Sequence, residues 1–113
     1  MDVSFQNMTD LITVSIACAD AAEADKIARH LVEHRLAACV QAHPIHSTYI
    51  WQGQLESATE ILLTAKTLAD RFDALAAAVQ DLHSYDVPEI IAQPIVQVAA
   101  SYELWLRQVL TAT

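Results

Sequence analysis

At 113 residues the chain has room for one domain and not two, and with 54% hydrophobic against 18% charged residues it carries more apolar material than one small core hides, which points to a subunit interface. Six Lys and Arg against 14 Asp and Glu leave a formal charge of -8, which repels phosphate backbones and anionic head groups and argues against nucleic acid and membrane surfaces as partners. No apolar run reaches the roughly 20 residues that span a bilayer, and the only two cysteines, Cys18 and Cys39, are too widely spaced to read as a disulfide scaffold, so a reducing, cytoplasmic location is expected.

Residues 1–10, MDVSFQNMTD, lack the basic and apolar regions of a signal peptide and are expected to form a flexible tail before a single domain over residues 11–113. From Leu11 to Cys18 the residues alternate, with Ile12, Val14, Ile16 and Cys18 on one face, which predicts a half-buried strand. Asp20 followed by Glu23 is a capping pair, and Ala24, Ile27, Ala28 and Leu31 recur at helical spacing, so a helix is predicted to about Arg35. Residues 38–51 are β-formers interrupted by Pro44, which lacks the N–H a ladder needs and predicts a bulge or an edge. Gln52-Gly53 contains the only glycine of the chain and predicts a hairpin turn, with a returning strand over residues 55–67.

Asp70 is positioned to cap a second helix carrying Phe72, Leu75, Ala76, Val79 and Leu82 on one stripe, ending before His83. Val87-Pro88 enforces extended backbone, residues 89–96 read as a fourth strand with Pro94 at an edge, and Ser101 is positioned to cap a last helix bearing Tyr102, Trp105, Leu106 and Val109. The order is β-α-β-β-α-β plus a C-terminal helix, an α+β ferredoxin-like split β-α-β two-layer sandwich. Helices are expected on one face only. Apolar residues in both registers, as in Ile61-Leu62-Leu63 and Ile90-Ile91-Ala92, then leave the other face for a second copy to cover.

His30-Leu31-Val32-Glu33-His34 matches the H-x-x-E-H pattern of inverted zinc peptidases, but no second helix offers a third ligand, and it reads as surface histidines open to incidental Zn²⁺ or Ni²⁺. His43 and His46 read as surface residues too. With no Gly-rich phosphate loop, no G-x-S-x-G and a single glycine, the chain is not expected to be an enzyme, and no organic cofactor is expected.

The segments RLAACV (residues 35–40), YIWQG (49–53), Lys66 after the third strand, HSYDVPEIIAQPI (83–95), and Tyr102 with Trp105 follow one another in an order and spacing that resemble the CutA family over residues 11–110. The resemblance implies a ferredoxin-like subunit in a tight homotrimer, architecturally similar to the PII signalling proteins, with a long β-ribbon joining subunits. Two departures stand out: Gln41 where the family often has Asn, and His83-Ser84-Tyr85 where it commonly has His-Pro-Tyr, which leaves the loop around His83 less rigid.

The resemblance also assigns metal binding to positions matching Cys18 and His83, and the topology brings both to one end of the subunit; thiolate and imidazole together suit copper or zinc. Without the resemblance, Cys18 reads as a small buried hydrophobe and His83 as a helix C-terminal residue. Cys39, the cysteine of the AACV motif, is a weaker metal candidate that also reads as a packed thiol, and no disulfide to Cys18 is expected. Trp51, Lys66, Tyr85, Glu89, Tyr102 and Trp105 are expected to line an intersubunit cleft, or else to pack as an aromatic interface. The expected function is a trimeric divalent-cation tolerance protein binding copper or a similar ion; the alternative is a PII-like signalling or scaffold module that binds a small molecule or a protein partner at those clefts.

Overall fold

The computed structural model describes residues 10–112. Its elements are β1 (Leu11–Cys18), α1 (Ala21–Glu33), β2 (Cys39–Trp51), β3 (Gln54–Leu68), a single 3-10 turn (Ala69–Arg71) leading into α2 (Phe72–Leu82), β4 (Ile90–Pro94) and α3 (Ala100–Thr111). The strands form one antiparallel sheet in the order β2-β3-β1-β4, the split β-α-β arrangement predicted from the order of elements. Residues 1–9 of the expected tail lie outside the described residues. Asp10 is held, because Arg107 clasps its carboxylate, with Nη2 to Oδ1 at 2.6 Å, and its carbonyl accepts from the Ala69 amide.

Alternation along β1 sends its residues into two cores. Ile12, Val14, Ile16 and Cys18 meet Ile27 and Leu31 of α1 and Leu75 and Val79 of α2, and each fully buried aliphatic side chain there contributes about 1.5–3 kcal/mol. Leu11 points the other way, with its register partner Leu68, into a smaller core under Leu106 and Leu110 of α3. The expectation of helices on one face only is therefore corrected: α3 packs on the opposite face at the Leu11 end, because its buried stripe is Leu106 and Leu110 rather than Trp105, which is 42% exposed.

Other local readings also shift. Asp70 does not cap α2; it sits in the 3-10 turn with its carboxylate 3.6 Å from Arg71. Ser101 lies inside α3, whose N-cap is Ala99. The fourth strand is shorter than expected, five residues rather than eight. Pro44 marks an edge and no bulge: β2 is the outer strand, and its register with β3 runs unbroken from Cys39↔Lys66 through Pro44↔Ile61 to Trp51↔Gln54.

Because β1 opposes β3 only as far as Ile61, the distal parts of β2 and β3 project as a two-stranded ribbon about 23 Å long. Its far end carries the exposed side chains Ile50, Trp51 and Leu55. Arg35 closes α1 in the left-handed region at φ 57, with the Leu36 amide reaching back to the Leu31 carbonyl. The Arg71 guanidinium donates to the carbonyls of Arg35 and Leu110, at 2.7 and 2.9 Å.

At the ribbon tip Gln52 and Gly53 are both left-handed, at φ 51 and 79, the two-residue turn whose twist matches the strands. Gly53→Ala is expected to cost about 1 kcal/mol by backbone strain alone, since a Cβ there meets nothing within 4 Å. Gln52→Asn, which tolerates this conformation better, should move the midpoint the other way in denaturant unfolding. Equal midpoints for wild type and Gly53→Ala would contradict the turn geometry.

Candidate functional site

β4 pairs with β1 only as far as Ile16. One residue beyond that, the Ala17 carbonyl accepts from Nε2–H of His83 at 2.8 Å. His83 is where α2 stops, with its backbone already extended at ψ 145, and its ring is buried against the end of the sheet. The other ring nitrogen, Nδ1, accepts from the Tyr85 amide at 3.1 Å. A carbonyl can only accept and an amide can only donate, so these partners assign the neutral Nε2–H tautomer.

Cys18 follows Ala17 and faces the opposite layer, fully buried. Burial, and then the charges of Glu23, Glu60 and Asp20, push its thiol up to about 12, so it stays protonated at neutral pH. Glu23 completes the group. Asp20 caps α1 by accepting from the Glu23 amide at 2.8 Å, and the Glu23 carboxylate turns back to the Ala19 amide at 2.9 Å and across to the Ser84 amide at 2.8 Å. Burial raises the Glu23 carboxyl, but the bonds from Ala19 and Ser84 outweigh it and hold the group below its usual range. Its Oε2 is 3.7 Å from His83 Nδ1, the nitrogen that the Tyr85 amide meets.

One ligand atom each from Cys18, Glu23 and His83 lie within 4.8 Å of one another. Soft sulfur, imidazole nitrogen and carboxylate oxygen form a donor set suited to copper or zinc. An ion there would displace the thiol proton and compete with the amides of Ala19 and Tyr85 for Glu23 and His83. The same bonds engage both nitrogens of His83, so its ring is not free to take a proton from Cys18.

Tyr85 divides this group from an outward pocket of about 570 Å³. Its hydroxyl donates to Glu60 Oε2 at 2.8 Å, and burial, reinforced by Glu60, raises its pKa so that it remains a donor. Trp51, Tyr85 and Glu89 line the pocket together with Tyr49, Glu60 and Asp86.

Lys66, Tyr102 and Trp105 lie elsewhere. Glu60 and Lys66 are six residues apart on β3, about 20 Å, so within one chain the expected single cleft divides into two groups. Lys66 Nζ bonds Gln41 Oε1 at 2.8 Å and sits 5.6 Å from the Tyr102 ring centroid, and the Tyr102 ring lies 5.3 Å from that of Trp105, tilted by 45°. Cys39, opposite Lys66, belongs to this second group as a partner of the Tyr102 hydroxyl. Lys66 in turn opposes Thr13, five residues from Cys18, about 17 Å along the strand; both thiols are free.

His30 and His34 stack at 4.0 Å on the flank of α1, and His43 and His46 are exposed on β2. Sequence reasoning missed Glu23, seen only as a capping residue, and Glu60, whose signal was a charge inside the apolar run of β3. Among the described residues no helix is long and apolar enough to cross a membrane.

A profile of the family described as CutA1 divalent ion tolerance protein matches residues 12–109. Protein CutA from Homo sapiens is 42% identical over 95 residues, 83% of this chain and 53% of its own length. The Thermus thermophilus divalent-cation tolerance protein CutA is 40% identical over 102 residues, 89% of this chain and 97% of its own. The CutA homolog of Xenopus laevis is 44% identical, and the match spans 61% of its length; this chain thus spans little more than half of the animal relatives. Among solved structures, the periplasmic divalent cation tolerance protein CutA from Archaeoglobus fulgidus superposes with a TM-score of 0.87 at 34% identity, over 88% of this chain and 98% of that one.

A carboxyl held low in the fold stabilises it above the ordinary glutamate value of 4.5, and that contribution is lost as pH falls through and below it. Glu23→Gln is therefore expected to lower stability at pH 7 and to flatten the acid limb of a stability–pH profile measured by denaturant unfolding. An acid limb identical to wild type would show that the Ala19 and Ser84 bonds contribute nothing.

Proposed function

Because this chain belongs to the CutA1 divalent ion tolerance family, we propose that it takes up copper or a similar divalent ion through Cys18, Glu23 and His83, as a cytoplasmic, non-enzymatic homotrimer. The observation that carries this reading is the convergence of three donor types at the end of β1, within 4.8 Å of one another. Cys18 supplies sulfur, His83 nitrogen, and Glu23 an oxygen that offsets ion charge; bound metal would tie α1 to the loop after α2. The hydrogen-bond partners of Glu23 and His83 are backbone groups, the Ala19, Ser84 and Tyr85 amides and the Ala17 carbonyl, so the donors are positioned by the fold itself.

Trimerisation is supported by what one chain leaves uncovered. An isolated two-stranded ribbon is marginal in water, yet this one carries Ile50 and Leu55 at 66% and 73% exposure. Three copies covering each other's ribbons and open sheet faces would remove that exposure. A second reading, a PII-like module that binds a small molecule, is favoured by the pocket beside Tyr85, whose volume of about 570 Å³ lies in the range of ligand sites.

Titration calorimetry with Cu²⁺ and Zn²⁺ tests the metal reading, in a background of His30→Ala and His34→Ala to remove adventitious binding on α1. Cys18→Ser and His83→Ala are each expected to weaken affinity at least tenfold. Affinities equal to the parent would remove this site. Light scattering should give three times the chain mass, and Leu55→Asp with Ile50→Asp should lower it; a well-behaved wild-type single subunit would sink the trimer.

A further inference from the structure

The donors around Cys18 differ in how many partners each can take. A carboxylate has lone pairs to spare, so Glu23 can keep the Ala19 and Ser84 amides while sharing an oxygen with an ion. The imidazole of His83, in the tautomer its partners assign, has one lone pair. With Nε2–H given to the Ala17 carbonyl, that lone pair is on Nδ1, 3.7 Å from Glu23 Oε2, and the Tyr85 amide already occupies it at 3.1 Å. An ion and the Tyr85 amide therefore exclude each other at this atom. Tyr85 is held at two further points. Its ring lies 4.7 Å from the His83 ring, tilted by 50°, and its hydroxyl donates at 2.8 Å to Glu60, a buried residue of β3. The chain that follows can yield: among the described residues nothing bonds the backbone of Asp86 or Val87, both exposed, whereas Ser84 is fixed to Glu23 before them and Pro88 is buried after them.

We propose that Tyr85 is a latch on the metal group: its amide caps His83 Nδ1 while the site is empty, and a divalent ion is admitted only when that amide leaves and pulls the Tyr85 hydroxyl away from Glu60. The proposal rests on metal uptake by Cys18, Glu23 and His83 and adds its regulation. Tyr85 acts through His83, as a positioning residue and not a ligand. Its amide and hydroxyl are the two ends of one stiff residue with two side-chain torsions, so the backbone does not move far without the ring. Entry at Nε2 instead would strip the buried Ala17 carbonyl of its donor, which is costly, whereas a Tyr85 amide displaced with its exposed loop meets water. The Glu60 bond stabilises the empty arrangement alone and so opposes the ion; by linkage, an ion on Nδ1 loosens Tyr85 from Glu60 by the same factor. Occupancy at the buried end of β1 is thereby conveyed to the outer side of residues 84–89. Every bond in this chain of contacts lies within one copy, so it holds whichever neighbour covers that side in a trimer.

The test uses Zn²⁺ on the full chain in the His30→Ala, His34→Ala background. Tyr85→Phe deletes the Glu60 bond and leaves the ring on His83; by titration calorimetry it is expected to bind Zn²⁺ about tenfold more tightly, a gain that mere loss of structure does not produce. In the parent, amide exchange followed by NMR should find the Tyr85 amide protected in EDTA and exchanging roughly tenfold faster at saturating Zn²⁺, with the Ser84 amide protected in both. That comparison leaves Tyr85 intact, so it decides the matter even if Tyr85→Phe folds poorly. Zn²⁺ affinity in a folded Tyr85→Phe equal to or below the parent overturns the latch, and so does a Tyr85 amide that stays protected at saturation. If His83→Ala still weakens binding in those cases, metal uptake stands without the latch. Zn²⁺ binding that His83→Ala leaves unchanged removes the metal site and the latch together.

Discussion

β1 runs between β3 and β4, and its last two residues face opposite layers. Cys18 enters the core under α1 and α2, while Ala17 opens toward the pocket on the other side. Period-two alternation alone does this. Two chemically different sites thereby share one stretch of backbone, and the Ala17 carbonyl, held by His83, is common to both. A one-residue slip of β1 would exchange the layers and destroy both sites, and the register with β3, unbroken from Leu11↔Leu68 to Cys18↔Ile61, is what resists it.

Glu23 shows how little polar material organises the end of the sheet. Its carboxylate accepts backbone amides from both sides, Ala19 before α1 and Ser84 after α2. It therefore ties together two segments far apart in sequence. Charge-assisted bonds of this kind are worth about 1.5–3 kcal/mol each. The Ser84 amide that Glu23 holds exists because serine stands where the family often has proline, which has no N–H to give. The departure that removed rigidity from the loop thus supplied a donor in its place.

Much of the fold was legible because alternation and helical spacing are direct consequences of burial: Ile12, Val14, Ile16 and Cys18 lie on one buried face as the pattern required. Caps were less legible. Asp20 caps α1, yet Asp70 and Ser101 do not cap their helices, since a short polar side chain before an apolar stripe is equally at home in a 3-10 turn or a first helical turn. The Cys18–His83 approach followed from topology, but Glu23 and Glu60 were hidden by more ordinary roles. The six expected cleft residues divided because sequence motifs carry no distance: Glu60 and Lys66 differ by six positions on one rigid strand. These residues are expected between subunits, so in the proposed trimer the two groups would have to come from neighbouring copies.

Arg71 has a consequence for cooperativity. Its two bonds reach the chain just past α1, in one layer, and the end of α3, in the other. One side chain thus fastens both faces of the sheet at the entry to α2. Native-state hydrogen exchange would report the two layers as a single foldon, with the α3 amides protected to the same extent as those of α1 instead of fraying first as a terminal helix ordinarily does.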